Sequence, residues 1–132
     1  MDVLISIKPK YVSQILDGIK KVEYRKTIPN IGQSDLLVLY ETAPTMMVTG
    51  YCRVDSVMED TVEGLWNRTS DVGGIKKEDY FQYFHGREVA SCLVLKDVVR
   101  LKEPIPLSEF GFSHPPQSWR YLKDKDKLKS IF

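Results

Sequence analysis

The chain has 132 residues, of which 42% are hydrophobic and 28% charged, and a formal net charge of +1. That length suits a single domain, residues 1–132, built around one core, and the near-zero charge excludes a protein that coats long duplexes by electrostatics alone. No apolar run approaches the ~20 residues that span a bilayer, and no basic region precedes the first apolar stretch, so neither a membrane anchor nor a signal peptide is expected.

In chain order, Asp2 to Lys8 alternates as a strand, with Val3, Ile5 and Ile7 on one face and Leu4, Ser6 and Lys8 on the other. Pro9 suits the first turn of a helix, where a missing N–H costs nothing. Val12, Ile15, Leu16 and Ile19 then form an apolar stripe at helical spacing, and Gly18 is placed to cap that helix. A strand is predicted from there to about Lys26. Pro29, Asn30 and Gly32 mark a loop, Asp35 to Glu41 a short buried strand, and Thr42-Ala43-Pro44-Thr45 a break. Met46 to Val57 reads as a longer strand, with Gly50 at a bulge or close approach.

Asp60 is placed to cap a helix carrying Val62, Leu65 and Trp66. Gly73-Gly74 separates it from a second helix with Tyr80, Phe81, Tyr83 and Phe84 as its apolar face, ended by Gly86. Glu88 to Leu101 is nearly continuous in apolar residues and is expected at the sheet centre. Leu107 to Phe110 suits one helical turn. Pro115-Pro116 holds an extended lead-in to Trp119-Arg120-Tyr121, which serves either as a stacking surface or as a clip over the core. The alternating charges of Lys123 to Lys127 suit a solvated helix face. Five or six strands and few helices in mixed order give an α+β class.

Chemistry concentrates in Gly18 to Arg25. Residues 8–26 hold six positive and two negative charges, a local excess of four, whereas the rest of the chain carries an excess of three negative charges. Alternation places Lys21, Glu23 and Arg25 on one strand face, while Lys20 either joins the opposite face or stays in the turn after Gly18. An arginine held by a glutamate can present its remaining donors to a phosphate, a carboxylate or a base edge. A lysine desolvated near a pocket becomes a weaker base and can take part in proton transfer. The alternative is a solvated ion pair on an exposed strand. Ser6 and Lys8 repeat the polar theme, and Thr42 could wall the same cleft.

Metal chemistry has little support. His85 and His114 are far apart and no Cys-x-x-Cys motif occurs, so neither metal nor cofactor is expected. Cys52 and Cys92 lie far apart in apolar segments and suit reduced, buried thiols of a cytoplasmic protein.

The octet pattern G-x-K-x-x-E-x-R resembles the signature of ASCH domains, a branch of the PUA-like superfamily. The likeness extends to residues 4–12, to Tyr40-Glu-Thr-Ala-Pro44 with Gly50-Tyr51, to Gly64-Leu-Trp66, to Tyr83 and to Pro-Pro-Gln-Ser at 115–118. The resemblance implies a PUA-like β-barrel flanked by a few helices, a cleft at the signature residues Lys20, Glu23 and Arg25, and Ser6 and Lys8 as neighbours. It also implies RNA or a modified nucleoside as partner, with a role in transcription or translation. One short ASCH branch hydrolyses the amide of 4-N-acetylcytidine with the signature lysine, a threonine where Glu23 stands here, and a separate carboxylate, for which Asp71 and Glu78 are candidates.

Three readings follow. In a binding module for RNA or a modified nucleotide, Ser6, Lys8, Lys20, Lys21, Glu23, Arg25, Thr42 and Trp119 make up the binding set. In a small hydrolase acting on an N-acylated cytidine or on RNA, Lys20 and Glu23 are catalytic. In a protein-interaction domain, the basic patch meets an acidic partner. Binding ranks first, because glutamate departs from the hydrolytic branch.

Overall fold

A computed structural model describes residues 1–123 and 131–132. The charged face expected at 123–127 lies, beyond Lys123, outside the described residues. The elements are β1 (Asp2–Ile7), α1 (Pro9–Leu16), β2 (Val22–Tyr24), β3 (Leu37–Glu41), β4 (Met47–Thr61), α2 (Val62–Thr69), α3 (Lys77–Tyr83), β5 (Val89–Ile105), a 3-10 turn (Leu107–Phe110) and β6 (Trp119–Leu122). No helix among the described residues is long and apolar enough to cross a membrane.

The α+β class holds, with six strands in one sheet ordered β2-β5-β4-β3-β1-β6. β1 and β3 run parallel, joined through α1 and β2, and the other neighbours are antiparallel. β5 lies inside the sheet, between β2 and β4, as its continuous apolar run requires. β4 shifts register against β5 after Val48, Tyr51 and Val54, and such bulges bend and twist a sheet. Gly50 stands at one of these shifts. A Cβ there would come within 2.6 Å of Leu16 and 2.7 Å of the Val99 carbonyl, so α1 and β5 both press against bare backbone.

The barrel implied by the resemblance is not closed, because β2 and β6 are the two free edges of the sheet. The cause is local. β2 spans three residues. The Arg25 amide still reaches the Ser91 carbonyl at 3.1 Å, but the chain then leaves for the loop through Pro29, which has no N–H to continue a ladder. Side chains cross the gap instead. The Trp119 indole N–H donates to the Thr27 carbonyl at 3.1 Å, and the Asn30 amide donates to the Tyr121 hydroxyl at 2.9 Å. β6, expected only as an extended clip, is a strand paired to β1.

Apolar side chains gather in three clusters. The first lies between α1 and the inner face of the sheet and includes Val12, Ile15, Ile5, Leu39, Cys52 and Leu93. The second, around Leu4, Val38, Tyr40 and Phe110, covers the outer face of β1 and β3. The third packs Leu65, Tyr80 and Phe84 of the α2–α3 region on Val22, Tyr24 and Cys92. All six residues of β1 are buried, since both of its faces are covered. Ile19, expected in the α1 stripe, falls beyond the helix and is exposed.

Candidate functional site: a cleft at the sheet seam

Gly18 sets the floor of the site. It takes a left-handed conformation, φ +78°, and turns the chain back so that the Ile19 and Lys20 amides both reach the Gln14 carbonyl at 2.9 and 3.1 Å. Lys20 therefore sits in the turn before β2 and points inward, with only 3% of its surface exposed. Its ammonium donates to the Gly73 carbonyl and lies 3.5 Å from Glu23 Oε1. It also stands 5.2 Å from the ring centres of both Tyr11 and Tyr24. Burial pushes the Lys20 pKa below that of an ordinary lysine. The Glu23 carboxylate opposes this shift, and the neighbouring Arg25 adds to it.

Glu23 pairs in register with Leu93 and carries its carboxylate on the inner face. Its Oε2 accepts from Arg25 Nε at 3.1 Å and from Nη2 at 2.9 Å. Arg25 Nη2 also donates to the Ser6 carbonyl at 2.7 Å, and Nη1 to Ser118 Oγ at 3.1 Å. Those bonds engage all but one of the guanidinium N–H groups. The sequence suggested that Glu23 would leave the Arg25 fork available to a ligand. In the fold, the fork joins β2 to β1 and to the start of β6 across the open seam. One carboxylate thus stands between two cations, and the floor keeps one positive charge in excess.

Above this floor opens a cavity of about 620 Å³, within the usual range for ligand sites. Ser6, Lys8, Lys20, Glu23, Arg25 and Thr42 all line it. The Ser6 hydroxyl donates to the Pro116 carbonyl at 2.7 Å, which ties the 115–118 segment to the wall. Two expected residues lie outside the lining. Lys21 is exposed, its amide bonded to the Val72 carbonyl at 2.8 Å. Trp119 packs on the first core cluster with its indole N–H on Thr27.

Sequence reasoning missed Tyr11, Tyr24, Asp79, Gln82 and Gln117 and placed Tyr83 on the apolar helix face; these six complete the polar and aromatic lining. The signal was present in α3. Tyr80 and Phe84 face the core, so Asp79, Gln82 and Tyr83, spaced by three and four, share the other side. Asp71 and Glu78, the carboxylate candidates, are exposed and not in the lining, whereas Asp79 is. Its charge, after burial, helps hold the Tyr11 hydroxyl above its ordinary pKa.

Neither thiol is a nucleophile at neutral pH. Burial raises Cys52 to about 12 and Cys92 to about 11. Among the described residues, no group of three or more His, Cys, Asp or Glu could hold a metal ion.

The chain is similar to known proteins over nearly its whole length. It is 28% identical over 134 residues to the ASCH domain-containing ribonuclease of Zymomonas mobilis subsp. mobilis, covering 98% of this chain and 90% of that one. It is 31% identical over 122 residues to the large ribosomal subunit protein uL22 of Ureaplasma parvum serovar 3, covering 92% of this chain but only 39% of that protein. The crystal structure of ASCH from Zymomonas mobilis superposes with a TM-score of 0.90 at 28% identity, covering 98% of this chain and 92% of that one. A mutant form of the same protein superposes at 0.89. The ASCH domain model matches residues 5–109, a span that holds α1, the signature octet and every helix of the cleft wall, so the chain belongs to the ASCH domain family.

Proposed function

We propose that this domain binds single-stranded RNA and takes one nucleotide into the cleft. The observation that carries the reading is a cavity of about 620 Å³ with a buried, positively biased floor. Its walls offer what a nucleotide needs: the Tyr11 and Tyr83 rings, amides at Gln82 and Gln117, and a carboxylate at Asp79. The likeness to a ribonuclease and to part of a large ribosomal subunit protein supports RNA as the ligand class. Regulation of transcription or translation would follow from such binding.

The test is a titration of labelled single-stranded RNA with the wild type and with Lys20→Met, with the RNA checked for integrity afterwards. Lys20 is the better probe than Arg25, since losing Arg25 also undoes the seam. Binding that is lost with Lys20 supports the cleft. Binding indifferent to Lys20 would remove it from the argument.

RNA cleavage is the second reading, favoured by the ribonuclease relative and by Lys20's lowered pKa. Lys20 and Asp79 are the cleft groups suited to exchange a proton with a substrate. Glu23 is less suited, because two cations already hold its carboxylate. That engagement also weakens the hydrolysis of an acylated cytidine, in which Glu23 would have to carry the proton. RNA shortened by the wild type and left intact by Lys20→Met would move the assignment to a nuclease.

A further inference from the structure

Two lysines at the cleft have no role in the site as described so far. Lys26 Nζ lies 4.7 Å from the ring centre of Tyr83, and Lys10 Nζ lies 5.7 Å from that of Tyr11. Both rings line the cavity, one from α3 and one from α1. Lys26 is fixed further by its backbone, whose amide donates to the Tyr83 hydroxyl at 3.2 Å and whose carbonyl accepts from Arg87 Nη2 at 3.3 Å. Among the described residues neither ammonium has a carboxylate partner, whereas Arg68, Lys96 and Arg100 each pair with one.

An exposed lysine ordinarily loses side-chain entropy when it orders on an anion. A cation held over an aromatic face has given up part of that freedom in advance. With Lys8 in the cavity wall, three lysines stand at the cleft against a single wall carboxylate, Asp79. One nucleotide bound inside has its phosphate at one end only, so charges carried on two separate wall elements have no use for it. A strand that runs on past the cleft in both directions would bring phosphates to each.

We infer that Lys10 and Lys26, held on Tyr11 and Tyr83, clamp the backbone phosphates that flank the nucleotide in the cleft, so that the ligand is a single-stranded RNA segment and not a free nucleotide or nucleoside. This inference rests on the RNA reading above and specifies its substrate class.

The test compares two probes on three proteins. The probes are a degenerate-sequence single-stranded RNA octamer and a mixture of nucleoside 5′-monophosphates. The proteins are the wild type, the double variant Lys10→Gln/Lys26→Gln and Lys20→Met, each titrated at several salt concentrations. The clamp predicts that the double variant binds the octamer about tenfold more weakly and that its salt slope falls by roughly 1.4, since each single-strand phosphate contact contributes ~0.7. Monophosphate affinity falls by much less. Glutamine keeps helix propensity at Lys10 in α1, Lys26 lies in the bend after β2, and both sites are exposed, so folding is retained, and a circular dichroism spectrum checks it.

If the octamer affinity and salt slope of the double variant match the wild type while Lys20→Met loses binding, the clamp is wrong and the cleft reading stands. Wild type that binds the monophosphates as tightly as the octamer also overturns the clamp. Wild type that binds neither probe overturns the RNA reading itself, and the clamp with it.

Discussion

Lys20 is a buried cation whose charge the fold tolerates and does not favour. Its folded pKa lies below the 10.5 of an unfolded lysine, so within that interval the unfolded chain holds the extra proton and stability rises with pH. Below the interval both states are protonated and the contribution is flat. Lys20→Met is therefore expected to remove a rise in the urea midpoint that the wild type shows as the pH climbs toward the 10.5 of an unfolded lysine. Cys52 and Cys92, raised by burial, act in the opposite sense above their unfolded value of 9.0, and Tyr11, Tyr24 and Tyr80 above theirs of 10.0, so the rise is read as the difference between wild type and Lys20→Met, which share these groups. Anion affinity should follow the reverse course and fall at a lower pH than an ordinary lysine would give. A stability curve with the same alkaline slope in both proteins would place the titration elsewhere. Arg25 is a different case, since its bonds are spent within the protein. Arg25→Ala is expected to cost about 2–4 kcal/mol by denaturant unfolding, below the ~3–5 of a fully broken buried pair because Lys20 stays beside Glu23. Arg25→Lys should recover little of it, since an ammonium cannot span Glu23, Ser6 and Ser118 as the fork does.

The elements show how residue pattern and chain length divide the information. α1, the break at residues 42–45 and the 3-10 turn at Leu107 were legible, because Pro9, Pro44 and Gly111 punctuate them locally. The cap of α2 was misplaced by one residue. Thr61 Oγ accepts from the Gly64 amide at 3.0 Å, while Asp60 accepts from the Thr61 amide and pairs with Arg68. β6 was read only as an extended segment, because its strand character comes from β1, 118 positions earlier in the register Val3 to Tyr121. The cleft was half legible. The charged octet was visible, but Tyr11, Asp79 and Tyr83 join it only once α1 and α3 are folded onto the seam. The connection between α2 and α3 makes that meeting possible. Gly74 has φ +65°, and a Cβ there would lie 2.1 Å from Gln14 Oε1 and 3.0 Å from Lys20 Cβ. Gly74→Ala should therefore destabilise the fold by about 1–2 kcal/mol from the left-handed backbone alone, and more from crowding. Nucleotide affinity should fall with it, because the stem of Lys20 must move. Unchanged affinity in a folded Gly74→Ala protein would mean that this connection does not position Lys20.

At the scale of the whole molecule, the question is whether three apolar clusters around an open sheet behave as one core. β5 argues that they do. Leu93 and Leu95 belong to the first cluster while Ala90 and Cys92 belong to the third, so neither cluster can come apart without disturbing the same strand. The second cluster shares β1 and β3 with the first through alternate side chains. The seam adds Arg25 and Trp119 as ties between the sheet edges. The two cysteines report on this coupling without any engineered probe. Cys52 sits in the first cluster and Cys92 in the third, both fully buried and both with thiols held well above neutral pKa. Native protein should resist alkylation at both. When labelling is followed by mass spectrometry through a urea series, the two thiols should become reactive together, giving unlabelled and doubly labelled molecules with little in between. Cys92 reacting at lower urea than Cys52 would show that the helices α2 and α3 leave the sheet first. The cleft wall they carry would then be the least stable part of the domain, free to open for a ligand without unfolding the rest.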